Sequence, residues 1–111
     1  MAYDTELADR IRTLLAGESG VTEQKMFGGL AFLIGGNMAV AASGQGGLML
    51  RVDPARSDDI VASTDASVAV MRDRPMPGWL RVDSEKVRTE AQLATFVTLG
   101  SDYARSLPAK R

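Results

Sequence analysis

The chain has 111 residues, 13 Lys and Arg against 14 Asp and Glu, and neither histidine nor cysteine. That length suits one domain spanning 1–111, with a single core. The missing side chains exclude disulfides, thiolate catalysis, thiolate zinc sites and every mechanism that needs a histidine base. A net charge of −1 with both signs interspersed gives no global field to hold a polyanion, which counts against nucleic acid as a sole partner. The start, Met1-Ala2-Tyr3-Asp4, lacks the basic and long apolar regions of a signal peptide. No apolar run approaches a membrane span. The expected location is the cytoplasm.

The first element is a helix over roughly residues 4–16. Leu7, Ile11, Leu14 and Leu15 form one apolar stripe, Asp4 is the expected N-cap and Gly17 the stop. Three or four strands follow. Thr22 to Phe27 alternates weakly, and Leu30 to Ile34 is a continuous apolar run suited to a central buried strand. Gly35-Gly36-Asn37 turns the chain into Met38 to Ala42. The segment Ser43-Gly44-Gln45-Gly46-Gly47 turns it again into Leu48 to Val52. Short glycine-rich connections between such runs read as an antiparallel meander.

Asp53-Pro54 opens a short helix in which Ile60 and Val61 are the buried residues. Ser67 to Met71 reads as a strand, Arg74 to Gly78 as a proline-stiffened loop, and Trp79 to Val82 as the last strand. Thr89 with Gln92 is a capping-box pattern for a final, longer helix that ends at Pro108. Gly100 inside it costs about 1 kcal/mol relative to alanine, so close packing or a bend is expected there. Ala109-Lys110-Arg111 reads as a frayed tail. The predicted fold is α+β. Its antiparallel sheet has about five to six strands, with an N-terminal helix, a short middle helix and a longer C-terminal helix.

Met26-Phe27-Gly28-Gly29 could cradle an anion on backbone amides. It lacks the lysine-containing phosphate-loop pattern and a following helix, so a strand junction too tight for side chains is the stronger reading. Lys25 is the nearest cation. Arg72, Arg74, Arg81 and Arg88 surround the Pro-Met-Pro-Gly-Trp segment, and Arg51 joins them if its strand is adjacent. Arginines beside an exposed Trp79 can bind an acidic protein surface or nucleic acid through bidentate contacts and stacking. The competing reading buries Trp79 and pairs the arginines with Asp73, Asp83 and Glu85. Met26, Met38, Met49, Met71 and Met76 fall on or beside strands. They fill core gaps or, alternatively, form an adaptable binding face. Asp58, Asp59 and Asp65 read as solvated rather than metal-ligating, and no cofactor is expected.

Several segments resemble the N-terminal domain family of the TfoX/Sxy competence regulators. They are Lys25-Met26-Phe27-Gly28-Gly29 with Phe32, Gly36-Asn37-Met38, Leu48-Met49-Leu50-Arg51-Val52, Arg74-Pro75-Met76 with Gly78-Trp79, and Ala104-Arg105-Ser106-Leu107-Pro108. The resemblance runs over nearly the whole chain. It implies a compact α+β domain on an antiparallel sheet, and its named members are transcriptional coactivators of competence genes that act with the cyclic-AMP receptor protein. Those regulators carry a second, C-terminal domain, whereas this chain stops at Arg111 and so looks like a stand-alone member. The resemblance brings no catalytic residues.

The expected function is therefore a non-enzymatic interaction domain that contacts a protein partner, with the transcription machinery as the expected class. Its surface would use Lys25, Arg51, Arg72, Arg74, Trp79 and Arg81. A direct nucleic-acid binder is one alternative and would show steep salt dependence. A small-molecule binder, or an enzyme using carboxylates and arginines, is another and needs a cavity with convergent polar groups. Exposed edge strands invite pairing into a homodimer, with a monomer as the alternative.

Overall fold

The computed structural model describes residues 3–26 and 28–109. Helix α1 covers Thr5–Leu14. The backbone N–H groups of Glu6 and Leu7 donate to Asp4 Oδ1 at 3.0 and 3.1 Å, so the expected N-cap satisfies two donors that the first turn leaves free. Four strands follow: β1 (Val21–Met26), β2 (Gly29–Ile34), β3 (Asn37–Ala42) and β4 (Leu48–Arg51). A 3-10 turn at Pro54–Arg56, capped by Asp53, leads into α2 (Ser57–Ser63). Strands β5 (Ser67–Met71) and β6 (Arg74–Val82) form the last hairpin. A second 3-10 turn, Ser84–Val87, precedes α3 (Glu90–Ser106). Thr89 and Gln92 make both hydrogen bonds of the capping box, at 3.1 and 3.0 Å. Phe27, expected to end the first strand, lies outside the described residues, as do Lys110 and Arg111 of the expected tail.

The six strands form one antiparallel sheet in the order β1-β2-β3-β4-β6-β5. The first four are the expected meander. The turn between β2 and β3 is Gly35-Gly36, with φ of 60° and 83°; two successive left-handed residues suit the twist of a hairpin. Asn37 is already in β3, and its side-chain amide donates to Pro108 O at 2.9 Å. Gly29 tests the strand-junction reading directly. A Cβ there would lie 2.4 Å from Ala42 O and 2.9 Å from Gly44 N, so only glycine fits between these backbones.

One expectation is corrected. Arg74 to Gly78 is not a loop but the first half of β6, and the turn is Arg72-Asp73, with φ of 51° and 63°. β4 pairs only with Trp79 to Val82, so residues 74–78 have a partner strand on one side alone. Prolines at 75 and 77 can sit there because a strand with a free side needs fewer amide donors.

All three helices bury side chains into one core on one face of the sheet. Leu7, Ile11 and Leu15 from α1, Ile60 from α2 and Leu93, Phe96 and Val97 from α3 meet Phe32, Val40, Leu48, Leu50, Leu80 and Val82. Helix α3 lies over β3 and β4. Ala39 is an extra residue in β3: Phe32 pairs with Val40, and Leu33 with Met38. At this bulge Gly100 of α3 meets the strand backbone.

Arg12 of α1 reaches Glu23 of β1 with two hydrogen bonds, 2.6 and 2.8 Å, and lies 5.9 Å from the Phe32 ring centroid. Hydrogen bonding from Arg12 holds the Glu23 carboxyl below the usual carboxylate range, outweighing partial desolvation. A depressed folded value means the stabilisation is full above the unfolded carboxylate pKa, about 4.3. It disappears as pH falls through the folded value. The pair is solvent-exposed, so the effect is small and salt-sensitive. Glu23→Gln should lower stability slightly at pH 7 and match the parent near pH 3, measured by chemical denaturation at both. An equal deficit at both pH values would assign the loss to something other than this pair.

Candidate binding trough on the helix-free sheet face

The second face of the sheet carries no helix among the described residues. Along β2 and β3 both sets of side chains are apolar: Phe32 and Val40 point under the helices, while Ala31, Leu33, Met38 and Ala41 cluster on the other side. Met26, Met49 and Trp79 pack against that second cluster. The continuous apolar runs in the sequence therefore serve two layers, and the second opens onto a concavity of about 600 Å³. Its walls extend from Met26 at the edge of β1 to Arg72 in the β5–β6 turn. Met26, Met38, Met49 and Met76 line it. They build a flexible apolar surface rather than filling the core beneath the helices.

Strand alternation places Met49 and Arg51 of β4 on this face, opposite Arg81 and Trp79 of β6. Arg51 lies 5.3 Å from the Trp79 ring centroid and 5.6 Å from that of Tyr103. The rings attract the cation without neutralising it. The Arg81 guanidinium donates to Ser43 Oγ at 3.2 Å, Gln45 Oε1 at 3.1 Å and Gly46 O at 3.1 Å. All three acceptors are neutral groups of the β3–β4 turn, so they fix the arginine and leave its charge uncompensated.

Arg51, Arg72 and Arg81 all line the concavity, and no aspartate or glutamate does among the described residues. The ion pairs of the described residues use Arg12, Lys86 and Arg105. The expected alternative pairing of Arg72, Arg74 and Arg81 with Asp73, Asp83 and Glu85 is not among them. Trp79 is half-buried, neither a core residue beneath the helices nor a free surface ring.

The structure thus brings together Arg51, Arg72, Trp79 and Arg81 of the expected surface. It separates the other two. Lys25 pairs with Leu30, whose side chain belongs to the core under the helices, so Lys25 projects to that side and away from the trough. Arg74 is exposed at the start of β6 and does not line the concavity. Arg88 sits between the second 3-10 turn and α3, where its carbonyl accepts from Arg10 Nη2 at 3.0 Å. The sequence reading did not assign Ser43, Gln45 and Gly46 as the neutral cradle of Arg81, nor Tyr103 as the second ring against Arg51. No group of three or more acidic side chains is placed to hold a metal ion among the described residues.

The family model of the TfoX N-terminal domain matches residues 13–104. The chain belongs to the TfoX N-terminal domain family. The match extends from the end of α1 through nearly all of α3, and so includes every strand that walls the trough. No curated protein matches the chain. For this TfoX N-terminal domain, no helix is long and apolar enough to cross a membrane among the described residues.

Proposed function

We propose that this TfoX N-terminal domain is a non-enzymatic binding module that acts by protein contact in gene regulation, in the cytoplasm. Its docking surface is the helix-free sheet face together with the β5–β6 turn at the rim. One observation carries the reading: an apolar sheet face bordered by Arg51, Arg72 and Arg81, with no covering helix and no aspartate or glutamate lining it among the described residues. Apolar surface ringed by polar groups is the usual form of an interaction site, and arginine and tryptophan are the side chains that most often anchor one. The chain's lack of histidine and cysteine removes the commonest general base and thiol nucleophile, which favours binding over catalysis. The regulatory setting comes from the family resemblance.

Affinity capture from the native host's lysate, with bait near natural abundance, tests this reading. The domain should retain a transcription factor or a polymerase subunit, and the Arg72→Ala/Arg74→Ala double variant should lose it. Both positions are exposed, so the variant keeps its fold. Equal recovery by both baits would overturn the assignment of the rim.

A further inference from the structure

We propose that the trough is also a binding site for a small amphipathic anion, a carboxylate on an apolar body such as an alkyl chain. Three properties of the site point to that chemistry. The first is its size and floor. A volume of about 600 Å³ falls within the roughly 300–1,000 Å³ of small-ligand sites. Leu33, Met38 and Ala41 line it while only 9%, 7% and 9% exposed, so an apolar group entering there would be well removed from water. Such a floor offers nothing to a chain of phosphates.

The second property is charge. Arg51 and Arg81 are diagonal neighbours on adjacent strands, because Arg51 faces Trp79 and Met49 faces Arg81. Diagonal positions on one sheet face lie roughly 7–8 Å apart. With Arg72 also on the wall and no acidic side chain lining the site among the described residues, these cations give the concavity a positive potential that an anion would offset. The contacts that hold them leave this charge intact: Arg51 lies against rings and Arg81 against neutral oxygens. A carboxylate would receive donors already oriented, which lowers the entropic cost of binding.

The third property is backbone. Arg72 has φ of 51°, a left-handed conformation that disfavours any residue with a Cβ. Asparagine or glycine would suit the turn better. A strained arginine retained at the wall of an already cationic concavity fits a role in holding a ligand.

The test uses the purified full chain and decanoate, followed by the fluorescence of Trp79, the single tryptophan, and by calorimetry. Decanoate should bind saturably, decanol about tenfold or more weakly, and decyltrimethylammonium not at all. Arg51→Gln and Arg81→Gln should each weaken decanoate about tenfold, a loss on the scale of one charge-assisted hydrogen bond. Arg72→Gln, in the exposed turn, provides a variant whose folding does not depend on the trough and should weaken binding in the same direction. Three results would overturn the site: no saturation into the millimolar range, equal affinity for anion and cation, or arginine variants that bind like the parent. Saturable binding of an acidic peptide in place of decanoate would also overturn it. Binding of decanoate needs no protein partner, so a failed capture experiment and a failed titration are separate outcomes.

Discussion

Replacing Gly100 with alanine is expected to destabilise the domain by about 2 kcal/mol, even though alanine is the better helix former. Propensity alone would stabilise α3 by about 1 kcal/mol. Packing opposes it. A Cβ at position 100 would sit 2.3 Å from Ala39 O, and 3.0 Å from both Ala39 C and Val40 Cγ1. Two of those atoms are backbone in the centre of the sheet and cannot turn aside as a side-chain end could. Inserting a methyl group into a filled interior costs about 1–3 kcal/mol, sometimes more, and the rigidity of this neighbour puts Gly100 at the upper end. Denaturant unfolding of the Gly100→Ala variant gives the sign. A gain in stability would mean that α3 is not seated against the β3 bulge. Thr95→Ala, at an exposed position of the same helix, is the control. It should be neutral or slightly stabilising, since alanine has the higher propensity there and nothing to clash with.

Phe32→Ala should cost more, about 4 kcal/mol, within the roughly 3–5 kcal/mol range of buried phenylalanine truncations. Among the described residues Phe32 is the largest side chain with no exposed surface, and it stands in the middle of β2 beneath the helices. Such a loss is a large part of the 5–15 kcal/mol that holds a typical domain together. The informative comparison is Leu33→Ala. Leu33 is nearly as buried, but it lines the trough, so truncation enlarges an existing opening and leaves no sealed void. Its cost should approach the transfer term alone, about 2 kcal/mol. Chemical denaturation of both variants measures the difference. Equal losses would mean that the helix-free face is covered in solution, for instance by a second copy of the chain.

Much of the architecture was legible because local chemistry and tertiary structure agree. Asp4, Asp53 and the Thr89–Gln92 box mark helix starts by satisfying free amides, and those hydrogen bonds need no distant partner. Glycine pairs set the turns of the meander for the same reason. The segment from Arg74 to Gly78 was misread because two prolines and a glycine are strong local signals for a turn, whereas the fact that permits a strand, a missing neighbour beside residues 74–78, belongs to the assembled sheet. The insertion of β6 between β4 and β5 is likewise a property of the whole sheet.

The trough was half legible. Alternation put Met49 with Arg51 on one face, and proximity in sequence gathered Arg72, Trp79 and Arg81. The continuous apolar run of Leu30 to Ile34 suggested a buried central strand, without showing that one of its sides would open onto a concavity. That Arg81 would be held by the β3–β4 turn, from Ser43 to Gly46, depends on a contact across more than thirty residues. Lys25 was named as the cation nearest the Met-Phe-Gly-Gly segment, and the face it takes is decided by strand register, which pairs it with Leu30.

The extra residue in β3 has a further consequence for how the trough is encoded. Met38 and Ala41 both line it, yet they are separated by an odd number of positions, which an uninterrupted strand would send to opposite sides. The parity is reset at Ala39. β6 follows the same rule: Met76 and Trp79 share the trough wall across another odd interval, beside the break in the β5–β6 register. The lining of the site is thus written in two reading phases joined by single-residue slips. A deletion at Ala39 would leave the composition of β3 almost unchanged and yet exchange, for half the strand, what faces the helices with what faces the trough.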